Sequence, residues 1–284
     1  MEFDYIDETG DAELILSDPI RFCPHKSNVE YHMLINGESG YGKSTFIKRF
    51  LMHNRHRFNY GIAFTSDQET RDEYAEILTE ANSYMGLPMV KFMKIMKKIQ
   101  QEDAKGKKAN ILFIFDDLDH EDKFFKSEIF KKMMFTLRHA WCKILFVVHD
   151  IKMCPTSIRG NFGEIIQFGN SSPQNVSLIG RNISPFPNKD DFKRVMARHA
   201  GEKFRCLYIN KNPNETGIRH RIQPYKVKPF HQKFIFGSRE FQKAHYKHAI
   251  NPTTIMINKK HKEPIKKETL EKIPEQFLQK KNTK

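Results

Sequence analysis

From about residue 29 to residue 168 the chain alternates short β-branched or aromatic runs with longer stretches whose apolar positions recur every three or four residues. That alternation predicts an α/β domain built around a mostly parallel sheet. Strands are expected at 31–36, 60–65, 111–115, 142–148 and 165–168, and helices at 43–54, 68–84, 89–102 and 123–139. Pro88 separates the second and third helical patterns, because its ring disfavours helix at Leu87. The runs "ILFIF" and "KILFVV" are apolar without alternation, as in strands buried on both sides, so helices should cover both faces of the sheet.

Outside this region the pattern changes. Residues 1–28 read as an acidic N-terminal arm of low regularity that ends in the turn-like "SDPIRFCPHKSN", and 29–188 as the core. Beyond "SPFPNKDD", residues 190–199 predict a helix, "FRCLYIN" a strand and "YKVKPFHQKFIFG" an irregular or edge strand pair. Together 189–250 form a basic subdomain expected to complete the sheet, and 251–284 a polar, Lys-rich flexible tail.

Charge sharpens this division. The 284 residues carry a net +14, yet 189–284 hold 24 Lys and Arg against 9 Asp and Glu, whereas 1–188 hold 24 against 25. A segregated basic region favours a polyanionic partner such as double-stranded DNA, because cations that neutralise phosphates release condensed counterions. A solvated lysine face without a ligand is the alternative. Four cysteines stand without a CxxC or zinc spacing and are expected to be reduced. No run reaches the roughly 18 apolar residues of a membrane span. The first 19 residues carry seven acids and no Lys or Arg, the opposite of a leader peptide, so a soluble, intracellular protein is expected.

The chemistry concentrates behind the first strand. Gly37-Glu38-Ser39-Gly40-Tyr41-Gly42-Lys43-Ser44 fits G-x-x-x-x-G-K-[ST] between a strand and a helix, the context this motif requires. Glycines let the backbone turn its N–H groups inward as an anion nest, and the helix adds its positive end. ATP is the expected ligand: Lys43 would reach the β- and γ-phosphates, Ser44 would hold Mg²⁺, and Thr45 would lie near the α-phosphate. Glu38 and Tyr41 belong to the cradle without an assigned contact. A glycine-rich turn that binds nothing is the competing reading.

A triphosphate also needs a carboxylate for its metal and a group that activates water. "NILFIFDDLDHED" supplies a buried strand followed by Asp116, expected on Mg²⁺ through water, and Asp117, expected as general base, with Asp119 as the rival base. An acidic helix start would leave the same trace. Lys43 and Asp116 are 73 residues apart, room for a strand and two helices between them, which suits the additional-strand class of P-loop ATPases. The next strand closes on His149 and Asp150, where His149 could sense the γ-phosphate or belong to a solvated loop. Arg159 then stands alone on a short loop, either as an arginine finger for a neighbouring subunit or as an ordinary surface cation.

Residues 135–168, "FTLRHAWCKILFVVHDIKMCPTSIRGNFGEIIQF", resemble the segment after the metal-carboxylate strand in the poxvirus-type genome-packaging ATPases, a branch of the FtsK/HerA superfamily. The shared features are Arg138-His139 before the fourth strand, a polar residue closing that strand, and Pro155, Ile158, Arg159 and Asn161 before the fifth. With the P-loop and Asp116-Asp117, the likeness spans about 30–170. It implies a RecA-like P-loop NTPase core, a hexameric ring, and ATP-driven movement of viral DNA into a preformed capsid at the host cell's site of virion assembly. Carried over by position, it implies Lys43 and Ser44 on ATP–Mg²⁺, Asp116 on the metal, His149 as sensor and Arg159 as a finger acting in trans. Relatives usually place Gln where this chain has His149. A signalling NTPase of the NACHT kind and a DNA helicase-like ATPase use the same engine and are the alternatives. Within the basic region, Lys243, Lys247, Lys259 and Lys260 are candidates to hold DNA, and docking on the capsid is another use of that region.

Overall fold

A computed structural model describes residues 10–249 apart from 171, 187 and 213–216. The tail at 251–284, with Lys259 and Lys260, lies outside the described residues, as does the side chain of Lys247. In chain order the elements are α1 (Gly10–Ser17), β1 (His32–Asn36), α2 (Lys43–His53), β2 (Tyr60–Thr65), α3 (Gln68–Leu78), β3 (Ser83–Met85) and α4 (Met89–Ala104). There follow β4 (Ile111–Asp116), α5 (Asp122–Phe125), α6 (Glu128–His139), β5 (Lys143–Val148), α7 (Thr156–Arg159) and β6 (Phe162–Phe168). The C-terminal part adds α8 (Pro173–Ile183), α9 (Lys189–Ala200), β7 (Arg205–Asn210), α10 (Ile218–Arg221), β8 (Ile222–Lys226) and α11 (Arg239–Ala249).

The strands join in one sheet of order β3-β2-β4-β5-β1-β6-β7-β8. Pairing is parallel from β3 to β6 and antiparallel for β7 and β8. Because successive strand residues face opposite ways, Leu34, Phe113, Phe115, Ile144 and Phe146 share one apolar layer with α4, α6 and α9. Met33, Ile35, Leu112, Ile114, Leu145 and Val147 share the other with α2 and α3. Helices thus cover both faces, as the unbroken apolar strands require. Beneath the end of β4, the Phe115 ring lies 5.3 Å from Phe64, 5.6 Å from Phe125 and 5.8 Å from Phe130. These contacts fix the strand that presents Asp116.

At the opposite end of the central strands, where β5 and β6 begin, Lys143 and Glu164 form a fully buried ion pair. Lys143 Nζ also donates to Ser27 Oγ (3.0 Å), Asn28 O (2.7 Å) and Tyr31 O (2.6 Å). Glu164 accepts from Ser27 Oγ (2.6 Å), the Asn28 N–H (2.9 Å) and the Tyr208 hydroxyl (2.9 Å). The network ties the arm, β5, β6 and β7 together.

Several elements differ from expectation for local reasons. The 68–84 pattern stops at Leu78, where the Thr79 N–H closes the helix on Ala75 O (3.0 Å) and Thr79 itself, at φ 84°, turns the chain away. Residues 83–85 then pair with β2 as a parallel edge strand. The 123–139 pattern breaks at Ser127, whose Oγ accepts from the Phe130 N–H (3.2 Å) and starts α6 afresh. Helix α1 forms where an irregular arm was expected, and α8 was not anticipated. In place of the expected strand pair after residue 225, β8 ends at Lys226, and the chain attaches through single bonds such as Phe236 N–H to Ile77 O (2.9 Å).

Candidate active site

The loop 37–42 leaves the end of β1 at the centre of the sheet and enters α2. Gly40 (φ 76°) and Gly42 (φ 104°) take backbone conformations that side chains rarely adopt, and at Gly42 a Cβ would also stand 2.7 Å from the Phe204 ring. No side chain caps α2, so its first N–H groups remain for whatever the loop encloses. Ser44 is exposed on the first helical turn and Thr45 half-buried beside it.

Lys43 points inward and is only 8% exposed. Its Nζ donates to Gly37 O (2.6 Å), Glu38 O (3.1 Å) and Nδ1 of His149 (2.9 Å). Burial pushes its pKa below the usual lysine value, against the pull of Asp116, Asp117 and Glu38. Since the ammonium donates to Nδ1, the proton of the neutral His149 ring sits on Nε2, and this N–H is hydrogen-bonded to Asp117 Oδ2. The second oxygen of Asp117 is buried without a hydrogen-bond partner.

Asp116 ends β4 level with Val147 of β5, and β1 lies beyond β5 with Asn36 level with Val148. One strand, β5, therefore separates the loop from the carboxylate, as in the additional-strand class; in sequence the 73 residues hold two strands, β2 and β3, where one was expected. Asp116 Oδ2 accepts the hydroxyl of Tyr74 on α3 at 2.8 Å. Burial pushes the Asp116 carboxyl up to about 6; the Tyr74 bond opposes the rise and the neighbouring Asp117 adds to it. Asp117 itself takes a left-handed backbone (φ 56°), tolerable for Asp, which aims its side chain back toward His149.

The structure thus brings Lys43, Asp116, Asp117 and His149 together beneath the glycine loop. Asp119 starts a short 3₁₀ turn, and its side chain lies outside the described ones. Asp150 turns elsewhere, capping the Lys152 N–H (2.9 Å) and accepting from Asn175 (3.1 Å). Arg159, half-buried at the end of α7, donates to Cys154 O (2.8 Å) and Asn182 Oδ1 (3.1 Å); none of its described bonds reaches Asp116, Asp117 or His149. Tyr74 and Phe204 are the site residues that sequence reasoning missed. Nothing local marks either one, since their contacts join segments 42 residues apart for Tyr74 and more than 160 for Phe204.

An oxygen-only donor set, the exposed Ser44 hydroxyl and the Asp116 carboxylate at the end of β4, suits a hard cation such as Mg²⁺. Among the described residues no cluster of three or more His, Cys, Asp or Glu could hold a metal alone. Mg²⁺ takes one or two protein oxygens and completes its shell with phosphates and water.

Fold and site together define a P-loop NTPase of the RecA-like, additional-strand kind. The model of the Poxvirus A32 protein family matches residues 25–214, more than half of the chain, which therefore belongs to that family. This is the packaging-ATPase branch that residues 135–168 resemble. The chain is 20% identical over 240 residues to the uncharacterized protein L437 of Acanthamoeba polyphaga mimivirus, covering 81% of this chain and 83% of that one. It is 24% identical over 191 residues to the uncharacterized protein 075L of Invertebrate iridescent virus 6, covering 65% and 72%. B204, the DNA-packaging ATPase from Sulfolobus Turreted Icosahedral Virus, shares the fold at a TM-score of 0.51 and 18% identity, over 72% of this chain and all of that one.

Proposed function

We propose that this chain is an ATP-hydrolysing translocase that drives double-stranded viral DNA into a capsid. The observation that carries the reading is the hydrogen-bonded series Lys43–His149–Asp117 beneath the glycine loop, with Asp116 at the neighbouring strand end, in a member of the Poxvirus A32 protein family. Loop N–H groups and Lys43 bind the β- and γ-phosphates. Ser44 and Asp116 would hold Mg²⁺, which would neutralise charge on the phosphate oxygens. Asp117 takes a proton from the attacking water as its oxygen bonds to the γ-phosphorus and the bond to the β–γ bridging oxygen breaks, releasing ADP and phosphate. His149 fixes the Asp117 carboxylate and links it to the lysine that touches the γ-phosphoryl.

In this reading Arg159 exchanges its bonds to Cys154 and Asn182 for the γ-phosphoryl of a neighbouring subunit, and the subunits form a hexameric ring. The duplex is held through its phosphates without base readout, since a translocase must move along any sequence. The basic region 189–284 supplies the cations, with Lys243 exposed on α11, and the capsid protein is the further partner. Among the described residues no helix is long and apolar enough to cross a membrane. The family match favours packaging over the helicase and NACHT-like alternatives. The test is ATP turnover by the purified chain with and without double-stranded DNA. Stimulation by any duplex sequence is expected; turnover indifferent to DNA would instead support a signalling switch.

A further inference from the structure

We propose that Phe204 is the platform on which the base of the bound nucleotide stacks, making this a site for purine nucleoside triphosphates; the inference rests on reading residues 37–44 as the phosphate cradle. The sheet order sets the direction of the ligand. Asp116, Asp117 and His149 stand at the ends of β4 and β5, on one side of β1. The γ-phosphoryl must face them, so the nucleoside leaves over the other side, across the end of β6 and the start of the antiparallel β7. Phe204 lies there, one residue before β7 and in contact with Gly42 at the mouth of α2.

The ring is held in place by its backbone. The Phe204 N–H donates to Tyr41 O at 2.9 Å, and its carbonyl accepts the Val227 N–H at 2.7 Å. Tyr41 is itself wedged against Gly169, where a Cβ would meet the tyrosine ring at 2.5 Å. Phe204 nevertheless adopts φ 61°, a left-handed conformation in which glycine would be free of strain, and the residue remains 39% exposed. A strained, half-exposed aromatic residue pinned against a phosphate loop breaks two local preferences at once, and such breaks concentrate at working sites.

An exposed ring beside the α2 N-terminus supplies what the loop lacks, a surface for the base. Stacking reads π-area rather than base edges. The larger purines should therefore bind more tightly than pyrimidines, with adenine and guanine little separated.

The experiment compares calorimetric binding of a non-hydrolysable ATP analogue and of inorganic tripolyphosphate, with Mg²⁺, to the full chain and two variants. Phe204→Leu keeps an apolar side chain against Gly42 and both backbone bonds but has no π-face. Its affinity for the ATP analogue should fall about ten-fold or more, with tripolyphosphate affinity unchanged. Phe204→Trp should restore binding, and its indole fluorescence should be quenched by the analogue against the background of Trp141. Wild-type affinity for the analogue in Phe204→Leu overturns the proposal, as does equal weakening of both ligands, which would make Phe204 a mere support for the loop. A wild-type chain that binds neither ligand would instead overturn the cradle itself.

Discussion

His149 bridges Lys43 and Asp117: one ring nitrogen accepts from the lysine ammonium at 2.9 Å and the other donates to the carboxylate. In the proposed mechanism the group that would meet the γ-phosphoryl and the group that would face the water thus share one imidazole, and neither can move without disturbing the other. A side chain at this position must accept on one side and donate on the other. Glutamine can do so through its carbonyl and amide; alanine cannot.

His149→Ala should therefore leave the affinity for a non-hydrolysable ATP analogue within a few-fold of wild type while lowering kcat about 100-fold, and His149→Gln should recover a large part of the loss. Steady-state kinetics beside equilibrium binding would check this. A fall in binding equal to the fall in kcat would show that the ring merely supports the loop.

Asp117→Asn keeps size and the bond to His149 but cannot accept a proton. Turnover should drop at least about 100-fold with ATP still bound, whereas Lys43→Ala should lose both binding and turnover. Unchanged kcat in Asp117→Asn would move the base to Asp119 or another group, and normal turnover in Lys43→Ala would remove the site altogether.

Asp116 carries a cost that can be measured as stability. Its carboxyl titrates near 3.8 in the unfolded chain and is pushed up to about 6 by burial in the folded one. Well below pH 3.8 both states are protonated and nothing is lost; as pH rises through 3.8 toward 6 the unfolded state releases its proton first, so stability falls and stays lowered above it. The loss at neutral pH is about 3 kcal/mol. His32 runs the other way: burial pushes it down to about 4 from 6.5, so it removes stability as pH falls across that window. Asp116→Asn keeps an acceptor for the Tyr74 hydroxyl and removes the first effect only. Without metal or nucleotide it should melt several degrees above wild type at pH 7.5, and the advantage should shrink to a small fraction of that near pH 4. An undiminished advantage at pH 4 would place its cause elsewhere than in the charge of Asp116.

The residues legible in advance are those whose chemistry is compressed into one stretch of chain. The glycine loop with Lys43, and Asp116 and Asp117 behind "ILFIF", announce themselves by type and spacing, and the sheet does the rest. What escaped is what packing decides. The polar run after Leu78 keeps helical composition through Tyr84, and only the turn at Thr79 reveals a three-residue strand too short for any periodicity to show. Helix α8 did leave a trace, a Ser172 cap followed by Pro173 at the first helical position. The hold of Tyr74 on Asp116 and of Phe204 on the loop left none, because each is a contact between elements that nothing in either segment specifies.

The ion pair where β5 and β6 begin offers a test of the scaffold apart from the chemistry. Lys143 and Glu164 are wholly buried, and burial lowers the lysine pKa even beside its partner. Glu164→Gln leaves the ammonium with Ser27, Asn28 and Tyr31 as acceptors but with no counter-charge. That stranded charge should cost about 3–5 kcal/mol, and Lys143→Met, which strands the carboxylate instead, should cost about as much. Combining Lys143→Met with Glu164→Gln removes both charges and should restore most of the loss, since burying the pair already carried a desolvation penalty. Urea denaturation of the two single variants and the double would measure the coupling. Losses that simply add would mean that the two side chains do not act as a pair.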